Sequence, residues 1–271
     1  MLVCPVCGSP LQKEERKYVC GNGHAFDMAK EGYVNLLLSN QKRSAEPGDP
    51  KESVRSRKEF LDAGYYESLA KGIARIVTEV LPEPSKILDA GVGTGYYLSY
   101  LTNARGHKDI CHAIDIGKEE CRVSAKKVKD AEIAVASVFR LPYADQSFDL
   151  VMSVFTPYAP EEFLRVVKPG GYVLAVQPGK RHLFELKAAV YDNPYENEEK
   201  GYDLPGFTLL KTENVMDRIR LKDRDAIMAL WNMTPYAHKT SRKDAAKLDE
   251  LPYLDTTTDF YVSLYQKEVS E

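Results

Sequence analysis

Residues 86–101 read Lys-Ile-Leu-Asp-Ala-Gly-Val-Gly-Thr-Gly-Tyr-Tyr-Leu-Ser-Tyr-Leu. This is a short apolar strand that runs into three alternating glycines and then into a helix. Asp89 closes the strand, and Gly91, Gly93 and Gly95 let the backbone turn and approach a ligand closely. Dinucleotide-binding folds also place glycines after their first strand. Here, however, the order is D-x-G-x-G-x-G and not G-x-G-x-x-G. A carboxylate at the strand end suits a ligand that carries an ammonium group, whereas a pyrophosphate is disfavoured there. The passage is therefore read as a loop for S-adenosylmethionine.

The residues that follow extend this reading. A second strand, 110–116, carries Asp115 about twenty residues past the loop, where a carboxylate can accept from both ribose hydroxyls. The competing role for Asp115 is a helix cap before 118–129. A strand at 133–136 leads to Ser137 and Leu141-Pro142-Tyr143, and one at 148–154 opens onto Phe155-Thr156-Pro157-Tyr158. A helix (161–167), a Lys168-Pro169-Gly170-Gly171 turn and a strand (172–176) come next. Strands at 213–221 and 259–266, with helices at 223–231 and 241–251 between them, end the chain. This alternation argues for a parallel sheet with helices on both faces. The expected fold is α/β, a class I methyltransferase with a Rossmann-like seven-stranded sheet.

The N-terminus carries a second signal, Cys4-x2-Cys7-x12-Cys20-x3-His24. Three thiolates and an imidazole at this spacing suit a tetrahedral zinc ion with no open position, hence a structural one. About thirty residues bury little core, so the metal is expected to hold this module together, with a hairpin over 11–19. Cys111 and Cys121, the other two of five cysteines, read as buried structural thiols. The chain therefore divides into a zinc-binding module (1–40), a basic linker and helix (41–64) and the methyltransferase domain (65–271).

The linker holds Lys42, Arg43, Lys51, Arg55, Arg57 and Lys58 against Glu46, Asp49 and Glu52, a net +3 over 41–58. Such a run is either a solvated face or a phosphate contact. The whole chain carries a net charge of −3, so no global pull toward nucleic acid exists. Charged residues interrupt every apolar run and the N-terminus lacks a signal-peptide layout, so a cytoplasmic protein with no membrane segment is expected.

Some acceptors are disfavoured. Exocyclic amine methylation commonly uses an Asn/Asp-Pro-Pro-aromatic loop, and Phe155-Thr156-Pro157-Tyr158 lacks the polar first residue. Pyrimidine-carbon methylation needs a cysteine in the site, and neither Cys111 nor Cys121 lies there. A ring nitrogen or a small-molecule heteroatom remains. Tyr158 is the candidate to hold a splayed base. The catalytic base has no candidate.

Several blocks together resemble the 23S ribosomal RNA guanine-N1 methyltransferases (RlmA). They are the zinc set, Phe26-Asp27-Met28-Ala29-Lys30-Glu31-Gly32-Tyr33-Val34-Asn35-Leu36-Leu37, Lys42-Arg43-Ser44, Pro47-Gly48-Asp49 and Phe60-Leu61-Asp62-Ala63-Gly64. Gly95-Tyr96-Tyr97, the segment 165–171, the segment 178–183 and Thr234-Pro235-Tyr236 complete the resemblance, which covers nearly the whole chain. Val92 and Thr94 stand where some members carry a cysteine and a glutamate. The resemblance implies zinc at Cys4, Cys7, Cys20 and His24, and S-adenosylmethionine contacts from Tyr66, Gly93, Thr94 and His182. It further implies transfer of a methyl group to guanine N1 in a 23S rRNA hairpin, and a homodimer whose zinc modules flank an RNA cleft. The alternatives are a small-molecule methyltransferase with a structural zinc ribbon and a non-catalytic RNA-binding protein. The intact Asp89, Gly91, Gly93, Gly95 and Asp115 argue against the second.

Overall fold

The computed structural model describes residues 1–42, 44–199, 201 and 203–269. The N-terminal segment forms a three-stranded antiparallel sheet of β1 (Leu11–Lys13), β2 (Lys17–Cys20) and β3 (Ala25–Asp27). The expected hairpin is β1 and β2, with Leu11 opposite Cys20. The chain then makes β4 (Val34–Asn35), α1 (Lys51–Asp62) and α2 (Glu67–Val80). Leu69, Ile73, Ile76 and Val77 of α2 recur at helical spacing, and all four are buried.

The main domain continues with β5 (Lys86–Ala90), α3 (Tyr96–Ala104), β6 (Ile110–Asp115), α4 (Lys118–Lys127), β7 (Glu132–Val135) and β8 (Phe148–Val154). It ends with α5 (Pro160–Val166), β9 (Val167–Pro178), α6 (Phe184–Val190), β10 (Phe207–Leu221), α7 (Arg224–Asn232), α8 (Arg242–Ala245) and β11 (Leu254–Lys267). The strand order is β10-β11-β9-β8-β5-β6-β7-β4. Strands β4 to β9 pair in parallel, and β11 and β10 add antiparallel. The seven expected strands are all present, and Val34–Asn35 adds a short eighth beside Ala134 and Val135.

Side chains alternate between two cores. Ile87, Cys111, Ala113, Ile133 and Leu150 face the helices α1 to α4 and α7. Leu88, Ala90, Ile114, Ala134 and Val151 face the zinc module and α5. Three elements differ from the sequence expectation. The Lys168–Gly171 turn lies inside β9: Phe148 pairs with Val167 and Leu150 with Tyr172, so the turn loops out as a bulge. The last two strands are longer than expected because they pair with each other from Phe207 to Lys267. The helix over 241–251 splits into α8 and a 3₁₀ turn (Ala246–Glu250), which takes Leu248 into the core while Lys247 Nζ donates to the Val190 carbonyl at 2.9 Å.

The zinc module is a wall of the domain. Val3 N–H donates to the Pro142 carbonyl at 2.9 Å, and the Tyr18 hydroxyl donates to Glu132 Oε2 at 2.9 Å. Leu2, Cys4, Leu11, Tyr18 and Cys20 are buried in the same core as Tyr143 and Phe148. Among the described residues no helix is long and apolar enough to cross a membrane. The crossover from β7 back to β8 makes β5/β8 the point where strand order reverses, and ligands of such sheets sit beyond the strand ends there.

Candidate functional site

The ligand atoms of Cys4, Cys7, Cys20 and His24 all lie within 4.8 Å of one another. Cys7 and Cys20 Sγ are 3.8 Å apart, and His24 Nδ1 is 3.3 Å from Cys20 Sγ and 3.6 Å from Cys4 Sγ. Zinc bonds of about 2.3 Å to sulfur and about 2.0 Å to nitrogen make tetrahedron edges of about 3.5–3.8 Å, so the four donors fit the ion. Hydrogen bonds from Ser9 and Asn22 pull the Cys7 thiol down to about 5, which favours the thiolate that a metal needs.

The glycine loop leaves β5 beside β8. Gly91 has φ 107°, and a Cβ there would lie 2.1 Å from Thr156 Oγ1. No side chain fits, so the loop packs against the segment after β8. Beyond it lies a cavity of about 350 Å³ lined by Gly91, Val92, Gly93, Thr94, Asp115, Glu120 and Ser137, with Phe155 and Pro157 at one end. Asp115 Oδ2 accepts from Gly93 N–H at 2.9 Å and Oδ1 from Gly117 N–H at 3.0 Å. Its carboxylate is thus tied both to the loop and to the turn before α4, and burial raises its pKa. Asp89 lies under the loop and outside the cavity wall. Its Oδ1 has no hydrogen-bond partner, and burial, then the charge of Asp115, pushes it up to about 7. Burial and Asp115 likewise push Glu120 up to about 7, and Glu120 Oε2 is unpartnered.

A second cavity, about 500 Å³, adjoins the first, and Arg57, Leu61, Tyr97, Phe155, Thr156 and Pro157 line both. Its far wall holds Tyr66, Gln177, His182, Thr234 and Tyr236. His182 Nδ1 accepts from Asp259 N–H at 3.3 Å, and Nε2 faces the Tyr66 hydroxyl at 3.4 Å. Burial, then the charge of Lys187, lowers His182 to about 3. The ring is therefore neutral, with its hydrogen on Nε2, and acts as a donor and not as a base.

The structure thus places Gly91, Gly93, Thr94 and Asp115 on the first cavity and Tyr66 and His182 on the second. Gly95, with φ 77°, begins α3 against Ser124 and lines neither. Tyr158 requires a correction. Its hydroxyl donates to the Asp203 carbonyl and its ring packs edge-on against Phe163, so it turns away from both cavities. Phe155, in the left-handed region at φ 56°, presents its ring there instead. Glu120 was missed by the sequence reading, although an acid one turn into the helix after Asp115 is a visible signal. The basic stretch is also partly neutralised. Arg55 pairs with Glu59 at 3.3 Å, Lys58 with Asp62 at 2.7 Å and Arg57 with Asp49 at 2.5 Å. Arg43 lies outside the described residues.

Comparison with known proteins places these features together. Residues 2–45 match the family described as "RlmA, N-terminal", and residues 88–175 match "Methyltransferase domain". The chain is 32% identical to the 23S rRNA (guanine(748)-N(1))-methyltransferase of Streptomyces fradiae, across 95% of this chain and 93% of that protein. It is 31% identical to the putative 23S rRNA (guanine-N(1)-)-methyltransferase YxjB of Bacillus subtilis strain 168, across 98% and 97%. A solved chain from the complex between the Haloferax volcanii Trm112 methyltransferase activator and the putative methyltransferase shares the fold. It has a TM-score of 0.51 and 15% identity over 82% of this chain and all of that one.

Two outcomes follow from this geometry. Purified protein is expected to contain one zinc per chain, and Cys4→Ser to lose it. Because Cys4 and Cys20 belong to the core shared with the sheet, metal loss is expected to lower the thermal midpoint of the protein's unfolding and expose residues 1–45 to protease. A zinc-free wild type, or a variant of unchanged midpoint, contradicts this. Gly91→Ala meets both the left-handed backbone and Thr156, and is expected to cost about 1–3 kcal/mol, read as a lowered midpoint in thermal denaturation. An unshifted midpoint contradicts the packing described.

Proposed function

The chain belongs to the family of 23S rRNA (guanine-N(1)-)-methyltransferases, and from that premise we propose how its two cavities carry out transfer of a methyl group from S-adenosylmethionine to guanine N1. The observation that carries the reading is the shared wall: a carboxylate-lined cavity at the strand ends opens, past Phe155 and Pro157, into an aromatic one. When bound, S-adenosylmethionine supplies a methyl group activated by a sulfonium. In this reading Asp115 receives the ribose hydroxyls, and Gly91, Gly93 and Thr94 follow the ligand's spine. Asp89 and Glu120 supply the negative potential that a cationic ligand meets, and Gly95 starts the helix that fixes the loop. Tyr66 and the Nε2–H of His182 face the ligand's methionine end across the second cavity, from its far wall.

The second cavity receives the acceptor base. Guanine N1 lies on the pairing edge, so the target base must leave its stack, which a single-stranded hairpin loop makes easier. Phe155 offers a ring at the entrance for that base. Similarity across both the zinc module and the methyltransferase domain supports this reading over a small-molecule methyltransferase. A ribosomal RNA substrate supports a cytoplasmic location for the reaction. A homodimer is part of the proposal, and the exposed Leu209, Leu210 and Met216 on the outer strand β10 offer surface to a second copy.

The carboxylates give the cofactor step a pH signature. Asp89 and Glu120 are held protonated up to about 7 in the folded chain. In the unfolded chain each ionises from roughly pH 4, so between about 4 and 7 the folded state holds protons that the unfolded one lacks, and the ligand-free protein loses stability as pH rises through that window. A bound cation favours the ionised forms and expels the protons. Affinity for S-adenosylmethionine is expected to rise by about tenfold per pH unit for each proton released up to about pH 7, then level off. Calorimetry in buffers of different ionisation enthalpy measures this release, and a flat affinity without proton release contradicts the assignment.

The product is the direct test of the activity. RNA treated with enzyme and cofactor is expected to stop reverse transcriptase one nucleotide before the site and to yield 1-methylguanosine by mass spectrometry. Only N2- or N7-methylguanosine, or transfer to small metabolites alone, would overturn the reading.

A further inference from the structure

Guanine N1 carries a proton at neutral pH, and its lone pair becomes available only when that proton leaves. The charge left behind spreads onto O6. The site therefore needs a proton acceptor and a cation where the charge collects. Among the described residues lining either cavity, Arg57 is the only cation. The first cavity combines it with Asp49, Asp115 and Glu120, and the second with the neutral His182. Arg57 lines both, so its side chain stands at the passage between them.

Asp49 is the carboxylate within reach of that passage. Its Oδ2 lies 2.5 Å from Arg57 Nη2, with side chains 47% and 26% exposed respectively. The Asp49 backbone is held from behind, because its N–H donates to Glu120 Oε1 at 2.8 Å. Gly48 packs so tightly that a Cβ would come 2.5 Å from Gly117 Cα. The other two carboxylates lie on the cofactor side, and Asp115 already accepts from two backbone N–H groups. Tyr97, the remaining acidic group that lines both cavities, is held protonated by burial.

We propose that Asp49 and Arg57 are the proton-handling pair of this reaction, with the Asp49 carboxylate accepting the N1 proton of guanine and the Arg57 guanidinium taking up the charge at O6. This assignment rests on the guanine-N1 reading above. The N1–H bond breaks and its proton goes to Asp49, while the electron pair stays on the ring, shared by N1 and O6. That pair forms the N1–methyl bond as the methyl–sulfur bond breaks, and the electrons of the broken bond remain on sulfur. S-adenosylhomocysteine and 1-methylguanine are left, and the partly exposed Asp49 returns its proton to water. Arg57 is never without a counter-charge, since it pairs with Asp49 before proton transfer and with the guanine anion after it.

The test uses the full chain, a 23S rRNA transcript and saturating S-adenosylmethionine, with 1-methylguanosine formation followed in single turnovers. Asp49→Asn is expected to slow the reaction by about 10²–10⁴-fold at saturating cofactor. Its residual rate is expected to climb by about tenfold per pH unit between roughly pH 7 and 9, because only guanine already ionised in solution then reacts. The wild-type rate is expected to rise far less over that range. Arg57→Lys keeps the charge but loses the planar fork, and is expected to cost about 10²-fold. Asp49→Glu retains a carboxylate, is expected to recover part of the rate, and serves as the variant to read should the Asn form fail to fold. An Asp49→Asn enzyme with wild-type rate, or a slow one with the wild-type pH profile, would overturn the assignment; so would an Asp49→Glu enzyme no faster than the Asn form. A wild type that makes no 1-methylguanosine would overturn the guanine-N1 reading itself, and the pair with it.

Discussion

Asp89, buried, and Asp115, half-buried, lie near the ends of adjacent parallel strands; desolvation raises both, and the charge of Asp115 raises Asp89 further. A buried carboxylate oxygen without a partner, as Oδ1 of Asp89 is, is costly, and a fold retains it where a ligand supplies the missing charge or donor. Much of the site follows from accommodating this pair. The glycine loop bends over Asp89 and brings Gly93 N–H to Asp115. The turn into α4 brings Gly117 N–H to the same carboxylate and Glu120 to the cavity wall. The strap at Gly48 and Asp49 then fastens to Glu120, which ties the linker helix α1 to the cofactor side of the molecule.

The zinc module completes the architecture from the opposite face. A parallel sheet needs cover on both sides, and α5 alone does not span the face opposite the main helices. The metal-held hairpins supply that cover with Leu2, Leu11 and Tyr18, while β4 pairs with the otherwise open edge of β7. A structural ion thus supports the same sheet whose strand ends border the first cavity. The module also forms one side of a groove lined by Pro5, Val6, Arg140 and Pro142.

What the sequence disclosed was local. The strand–glycine–helix passage, the four metal ligands and the alternation of strands and helices are each written within a few dozen residues. What it concealed depended on contacts between distant segments. Tyr66 and His182 are 116 residues apart and were reached through family resemblance, not through spacing. The charge run of the linker read as a solvated or RNA-facing patch, yet Arg57 turns inward because Asp49 and the cavity passage lie on its side of α1. The direction of Tyr158 goes with its bond to the Asp203 carbonyl, 45 residues away, which no local pattern announces. The eighth strand is two residues long, and its partner lies about a hundred residues further along the chain.

The central claim is that the ends of β5 and β6, with the strap at 47–49 closing over them, form the cofactor cavity. Hydrogen exchange measured amide by amide, with and without S-adenosylhomocysteine, tests it most directly. Protection is expected at Gly91 to Gly95, at Gly117 to Glu120 and at Gly48 and Asp49, while the zinc knuckles exchange as before. Unchanged exchange at these segments at saturating ligand, or protection confined to the groove between the knuckles and Leu141–Tyr143, would contradict the account.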